Sequence, residues 1–185
     1  MLPEISLNVL DIAQNSIKAG ADLVCIKVVR MRAQGSMTLT IDDNGCGMSE
    51  EQLEHVTDPF FTSRSTRKVG LGVPFLKQAA LACDGDFDIT STVGVGTKVY
   101  ARFNTDHIDC MPLGDINGTI FSLIVMNENL DFVYTYQVDE KEFTLDTREI
   151  REILGDVSFQ SNEVSSFLRD YLSENQQDVD NANFN

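Results

Sequence analysis

The stretch Met37-Thr38-Leu39-Thr40-Ile41-Asp42-Asp43-Asn44-Gly45-Cys46-Gly47 runs from an alternating segment straight into a turn. Met37, Leu39 and Ile41 alternate with polar residues, as in a strand with one buried face. Asp42 to Gly47 has the composition of a turn. Upstream, Leu23 to Met31 is rich in Val and Ile and reads as the antiparallel partner, joined through Gln34-Gly35-Ser36. Before it, Pro3 to Ala19 reads as a helix. Ile5, Val9, Ile12, Ala13 and Ile17 share one broad side. Asn8, Asp11, Asn15 and Lys18 lie opposite, within roughly 80°. Gly20 ends the helix. Taken alone, that polar stripe is a solvated helix face.

Downstream, Ser49 with Glu51 and Gln52 predicts a capped helix through about Val56. Thr57 to Val69 has no clean period and reads as a mobile loop. Val73 to Cys83 reads as an apolar helix started by Gly72 and Pro74. Phe87 to Thr92 and Lys98 to Phe103 read as strands joined by Val93-Gly94-Val95-Gly96-Thr97. Residues 1–103 therefore predict an α/β (α+β) fold, a two-layer sandwich of a mixed sheet with helices on one face. Residues 104–116 read as a linker, and 117–175 as a small acidic α+β extension. Within it Thr119 to Met126, Asp131 to Val138 and Glu142 to Leu145 alternate like strands, and Thr147 to Leu154 and Asn162 to Ser173 read as short helices. Gln176 to Asn185 is polar and reads as disordered.

A chain of 185 residues, 42% hydrophobic, suits one domain with a smaller appendage. No apolar run approaches the roughly 18 residues needed to span a bilayer. The N-terminus lacks the basic and apolar regions of a signal peptide. A cytoplasmic protein with no membrane contact is expected. Cys25, Cys46, Cys83 and Cys110 form no C-x-x-C pair, which argues against zinc. The net charge of −15 is uneven. Residues 1–103 carry 12 acids and 10 bases, whereas residues 104–185 carry 17 acids and 4 bases. So acidic a half repels phosphate backbones and disfavours nucleic acid. It suits a basic protein partner or a solubilising surface.

Three segments carry the chemistry. Asp11 and Asn15 place an acid and an amide on one helix, Asp43 stands in a Gly-rich turn, and Gly70-Leu71-Gly72 opens a second helix. In that order the set suits a nucleotide pocket.

These segments resemble the boxes of the GHKL superfamily, the gyrase-type, chaperone, histidine-kinase and mismatch-repair ATPases. Asp11…Asn15-Ser16…Ala19-Gly20-Ala21 is similar to the N-box, and Asp43-Asn44-Gly45-Cys46-Gly47-Met48 to the first Gly box. Asp58-Pro59-Phe60-Phe61-Thr62-Ser63-Arg64 resembles the phenylalanine box and the start of the ATP lid. Gly70-Leu71-Gly72-Val73 and Gly94-Val95-Gly96-Thr97 resemble the later Gly turns. The resemblance covers about residues 5–103. Beyond it, His107-Ile108-Asp109…Met111-Pro112-Leu113-Gly114-Asp115 is similar to small stand-alone bacterial ATP-binding proteins.

The resemblance implies a Bergerat-type (histidine-kinase-like ATPase) fold and a set of roles. Asp43 accepts from the adenine amino group, with its second oxygen satisfied by water or by the Thr97 hydroxyl. Gly45 and Gly47 let backbone approach the base and allow positive φ. Asn15 offers an oxygen to Mg²⁺. Lys18 is either a phosphate contact or a solvated lysine. Gly70, Leu71 and Gly72 present free N–H groups to the triphosphate of ATP. Lys68 stands where the family has a Gly, and it either stiffens the lid or adds a charge. Thr62 and Arg64 lie in the lid, Arg64 where kinases aim a Lys at the terminal phosphate. Asp11 takes the place of a catalytic Glu, one methylene shorter; the alternative is an acid that helps hold hydrated magnesium. Only ten residues precede Asp11, so an acceptor-bearing hairpin is not expected, and kinase activity acts on a partner in trans. A non-catalytic ATP switch and a dimerising ATPase clamp are the alternatives. Oligomeric state stays open.

Overall fold

In the computed structural model, which describes residues 4–58 and 71–181, six strands join one mixed sheet. The elements are α1 (Ile5–Lys18), β1 (Leu23–Met31), β2 (Ser36–Asp43), α2 (Glu50–His55), α3 (Gly72–Ala82), β3 (Asp86–Thr92) and β4 (Gly96–Asn104). They continue with α4 (Ile116–Met126), β5 (Asp131–Val138), β6 (Lys141–Asp146), α5 (Thr147–Leu154) and α6 (Asn162–Asp180). The strand order is β3-β4-β2-β1-β5-β6. Every pair is antiparallel except β1 with β5.

Alternation sets which face is dry. Val24, Ile26 and Val28 of β1 pair with Phe132, Tyr134 and Tyr136 of β5, and all six are buried. Met37, Leu39 and Ile41 of β2 face Phe103, Ala101 and Val99 of β4, also buried. The helices α1, α3, α4 and α6 pack on these strands. The other face carries cross-strand ion pairs, Lys27 with Glu142 at 3.6 Å and Arg102 with Asp86 at 2.6 Å. The predicted sandwich of a mixed sheet and helices is thus present. The Ser49 capping box is present too, with Gln52 as its reciprocal partner.

Three expectations for the C-terminal part are corrected. Thr119 to Met126 is helical, not a strand. The Asp115 carboxylate accepts from Gly118 N at 2.8 Å and caps α4, and Ile116, Ile120, Leu123 and Ile124 are buried at helical spacing. Short apolar runs do not separate the two periods. The 104–116 linker is not a loose tether. Its Pro112 and Leu113 carbonyls accept from Ile5 N and Ser6 N at 3.0 and 2.8 Å, and so satisfy the open N-terminal turn of α1. Residues 176–180, read as disordered, continue α6. Val179 is buried, Lys141 Nζ donates to Asp178 O at 3.0 Å, and Tyr136 OH donates to Asp180 Oδ1 at 3.0 Å. Cations at a helix C-terminus are favourable, and Arg30 lies 3.6 Å from Asp180.

None of the four cysteines is in a disulfide. Burial and the neighbouring Cys83 thiol push Cys110 up to about 11. No described helix is long and apolar enough to cross a membrane.

Because β5 lies in the same sheet as β1, the two halves are expected to unfold together. Leu172, fully buried on α6, tests this. Leu172→Ala is expected to cost about 2–5 kcal/mol. Circular dichroism in urea should show one transition moved to lower denaturant. A separate early transition confined to the C-terminal residues would contradict the coupling.

Candidate functional site

The site forms where α1, the turn after β2, the β3–β4 hairpin and the start of α3 meet. β2 ends at Asp43, opposite Thr97 of β4. The turn beyond it is tied down on three sides. Asn44 Oδ1 accepts from Asp22 N and Leu23 N at 2.8 and 2.9 Å. Cys46 N donates to Ala19 O at 2.9 Å, just past α1. Cys46 O accepts from Gly94 N at 2.9 Å, and Met48 N donates to Ser91 Oγ at 2.8 Å. Gly47 has φ +65°, and a Cβ there would stand 2.1 Å from Thr92 O. No other residue type fits that position without moving backbone.

Asp43 is held by two donors. Gly45 N donates to Oδ1 at 2.9 Å, and the Ser16 hydroxyl donates to Oδ2 at 2.5 Å. The Thr97 hydroxyl, expected to serve the second oxygen, is engaged with Ser91 Oγ at 2.8 Å instead. Gly45 is also corrected. Its φ is not positive; what it supplies is room, since a Cβ would lie 2.9 Å from Ala19 Cβ and 3.0 Å from Asp43 Oδ1.

Asp11 and Asn15 are half-buried on α1, and Lys18 is exposed. Lys18 lines an apolar groove of about 260 Å³ between α1 and α4, with Leu10, Ile17 and Met126. Gly72 opens α3 against α1: a Cβ on it would lie 2.7 Å from Asp11 Cβ. Among the described residues no side chain caps this end, and Pro74 has no N–H, so Leu71, Gly72 and Val73 supply the N–H groups of the first turn. Thr62, Arg64, Lys68 and Gly70 lie outside the described residues. Leu71 is half-exposed beside Gly72.

Asn8, on the same side of α1, is buried, and neither Oδ1 nor Nδ2 has a hydrogen-bond partner among the described residues. A stranded buried amide group costs about 1–3 kcal/mol.

The sequence reading gave no role to Ser16, Asn44 or Ser91. Ser16 had a usable signal: a hydroxyl at helical spacing with Ile5, Val9 and Ile12, on the otherwise apolar side of α1. Asn44 and Ser91 had none, because their partners come from distant segments. Ser16→Ala is expected to weaken nucleotide binding about tenfold, from the roughly 1.5–3 kcal/mol of a hydrogen bond to a charged group. Calorimetric titration checks this. Unchanged affinity would make Ser16 a packing residue only.

An ionised acceptor set in a glycine-lined turn suits a base bearing an exocyclic amine. A helix start with free N–H groups suits phosphate. The comparisons agree. The profile of the histidine kinase-, DNA gyrase B- and HSP90-like ATPases matches residues 3–107. The C4-dicarboxylate transport sensor protein DctB of Pseudomonas aeruginosa is 32% identical over 99 residues, 53% of this chain and 16% of that protein. Sporulation kinase D of Bacillus subtilis is 30% identical over 91 residues, 49% of this chain and 18% of that protein. The chain thus spans under a fifth of the length of these relatives. Among solved structures, the N-terminal domain of a DNA repair protein has TM-score 0.58 at 14% identity, covering 84% of this chain and 58% of that one. The Aquifex aeolicus MutL ATPase domain, complexed with ADP, has TM-score 0.53 at 14% identity, covering 83% and 70%. The chain belongs to the histidine kinase-, DNA gyrase B- and HSP90-like ATPase family.

Proposed function

We propose that this ATPase-family chain binds Mg²⁺–ATP between α1, the Asp43 turn and the start of α3, and passes the terminal phosphoryl group to a protein partner in trans, in the cytoplasm. The observation that carries this reading is the double hold on Asp43. With Gly45 N on one oxygen and Ser16 Oγ on the other, the carboxylate is a fixed acceptor for the adenine amine. Thr97 stands beside it and Gly47 keeps the turn clear.

Asn15 would hold Mg²⁺, which neutralises charge on the triphosphate when bound. Among the described residues no three His, Cys, Asp or Glu side chains gather to hold a metal. An amide oxygen completed by phosphate oxygens and water fits magnesium's preference. The first-turn N–H groups at Gly72 and Val73 receive phosphate, with Leu71 and Gly70 leading into them. Thr62, Arg64 and Lys68 are assigned to the phosphate end on the resemblance alone. Lys18, beside the α1–α4 groove, is assigned a weaker phosphate contact.

Asp11 orients the acceptor. Its carboxylate takes the proton of a partner serine hydroxyl, whose oxygen bonds the terminal phosphorus, or takes the N–H proton of a partner histidine as the other, unprotonated ring nitrogen bonds it. In either case the bond from phosphorus to the bridging oxygen breaks to release ADP. The contact of Gly72 with the Asp11 stem brings the phosphate-binding turn against the carboxylate. That offsets the methylene by which Asp is shorter than Glu. The acidic half of the chain docks the partner.

The experiment is incubation with radiolabelled ATP and candidate partner proteins. Label should pass to the partner and depend on Asp11. If ATP binds but no label moves, the kinase reading is lost and a nucleotide-dependent switch replaces it. One observation favours a further reading, an ATPase clamp. The fold likeness to the repair proteins covers 84% of the chain, well past residues 3–107. ATP-dependent dimers in light scattering would select it.

A further inference from the structure

Asn8 is the member of the α1 polar stripe to which the nucleotide reading gives no role. At 1% exposure it is no solvated helix residue. Both its amide atoms lack partners, although polar groups nearby are paired. Ser6 Oγ donates to Glu4 Oε1, Thr119 Oγ1 to Ser6 O, and Ser16 Oγ to Asp43. An apolar side chain would fill this space without stranding an amide, so packing does not account for an asparagine here.

Its place on the helix does. At 100° per residue, Asn8 lies about 20° round the helix from Asn15 and about 60° from Asp11. Residues three apart have Cβ atoms roughly 5–6 Å apart. Helix Cα–Cβ bonds tilt toward the N-terminus, so the Asp11 side chain leans over the turn that carries Asn8. Gly72 bears on the Asp11 stem. The two side chains make no hydrogen bond to each other in the structure. When a triphosphate and its cation settle over the half-buried Asp11, they remove its water. A dehydrated carboxylate then needs a donor, and the unpaired Asn8 Nδ2–H₂ is one turn away.

We infer that Asn8 is a positioning residue of the nucleotide site: its buried amide donates to the Asp11 carboxylate when Mg²⁺–ATP binds, and fixes that carboxylate toward the acceptor. This rests on the placing of Asp11 beside the bound nucleotide, and it holds whether or not phosphoryl transfer follows.

The test uses the full chain with ¹⁵N-labelled asparagine. The Asn8 side-chain signal is identified by its loss in Asn8→Leu, or in Asn8→Ser if the leucine variant does not fold. On addition of Mg²⁺ and a non-hydrolysable ATP analogue, that signal should move downfield and exchange more slowly with solvent. In Asp11→Ala, with calorimetry showing that the analogue still binds, the movement should vanish. A signal that stays put in the wild type although the analogue binds would overturn the inference, as would equal movement in Asp11→Ala. If calorimetry shows no binding at all, the nucleotide reading falls and takes this inference with it. In turnover, Asn8→Leu is expected to lower kcat about tenfold, with KM for ATP within about twofold, and to melt at higher temperature. Asn8→Ser, which keeps a donor, should recover part of the kcat. Normal kcat in Asn8→Leu would assign Asn8 to structure alone.

Discussion

Asp43→Ala is expected to weaken ATP binding at least about 100-fold while leaving the fold intact. The substitution removes the acceptor for the adenine amine. It also removes the acceptor of the Gly45 N–H and leaves the Ser16 hydroxyl with only its 3.5 Å contact to Ile12 O. Each unsatisfied donor costs about 1–3 kcal/mol where water cannot replace the lost partner. That cost falls on fold stability; for binding, the lost hydrogen bond to a charged acceptor and the adenine amine left unsatisfied, about 1.5–3 and 1–3 kcal/mol, reach the stated figure, since about 1.4 kcal/mol is tenfold. Asp43→Asn is the sharper control. One side-chain oxygen remains for Gly45 N, and the new NH₂ faces Ser16 Oγ, which accepts from it only by turning its own proton to Ile12 O, 3.5 Å away; the acceptor oxygen on that side, open to the adenine amine, is gone. It should bind ATP nearly as poorly as the alanine variant. Calorimetric titration gives the affinities, and circular dichroism shows whether the strands persist. Wild-type affinity in either variant would end the purine-site reading.

Asp11→Ala separates binding from chemistry. Phosphoryl transfer or phosphate release should fall by about 10²-fold or more, the usual scale for a general base. ATP affinity should change by less than about threefold, because Asp11 touches neither the base-binding turn nor the glycine pair that shapes it. Asp11→Glu restores the length found in related hydrolases, yet it should not restore or raise the rate. The start of α3 closes on Asp11 at Gly72, and an added methylene must displace that turn or itself. Such misplacement costs up to roughly 10²-fold. Steady-state phosphate release at saturating Mg²⁺–ATP, with and without a partner, measures both variants. A full rate in Asp11→Ala would remove Asp11 as the base.

How far the sequence reached depended on the range of the interaction concerned. The β1–β2 and β3–β4 hairpins were readable because alternation and turn residues are local. The Ser49 cap was readable for the same reason. Thr119 to Met126 was not. Ile, Leu, Val and Phe crowd that run, and the choice of helix rests on Asp115 and on which neighbours it packs against. The end of α6 was hidden by its polar composition. Its partners Arg30, Arg32 and Lys141 stand on β1, next to it and on β6, far off in the chain. Within the site, Asp11, Asn15 and Asp43 were legible as a set. The second oxygen of Asp43 was expected to be served by water or by Thr97, its neighbour across the ladder, whereas the hydroxyl on it comes from Ser16 on the helix beneath. Ladder neighbours can be inferred from strand order, whereas helix-to-sheet contacts need the packed structure.

The parallel junction of β1 and β5 has a consequence during synthesis. β1 leaves the ribosome about a hundred residues before its lateral partner. In that interval the nascent domain presents a bare rim of backbone N–H and C=O groups beside Val24, Ile26 and Val28, the kind of surface on which one unfinished chain captures another. The acidic second half delivers the strand that seals this rim, and it carries most of the negative charge that would hold neighbouring nascent chains apart.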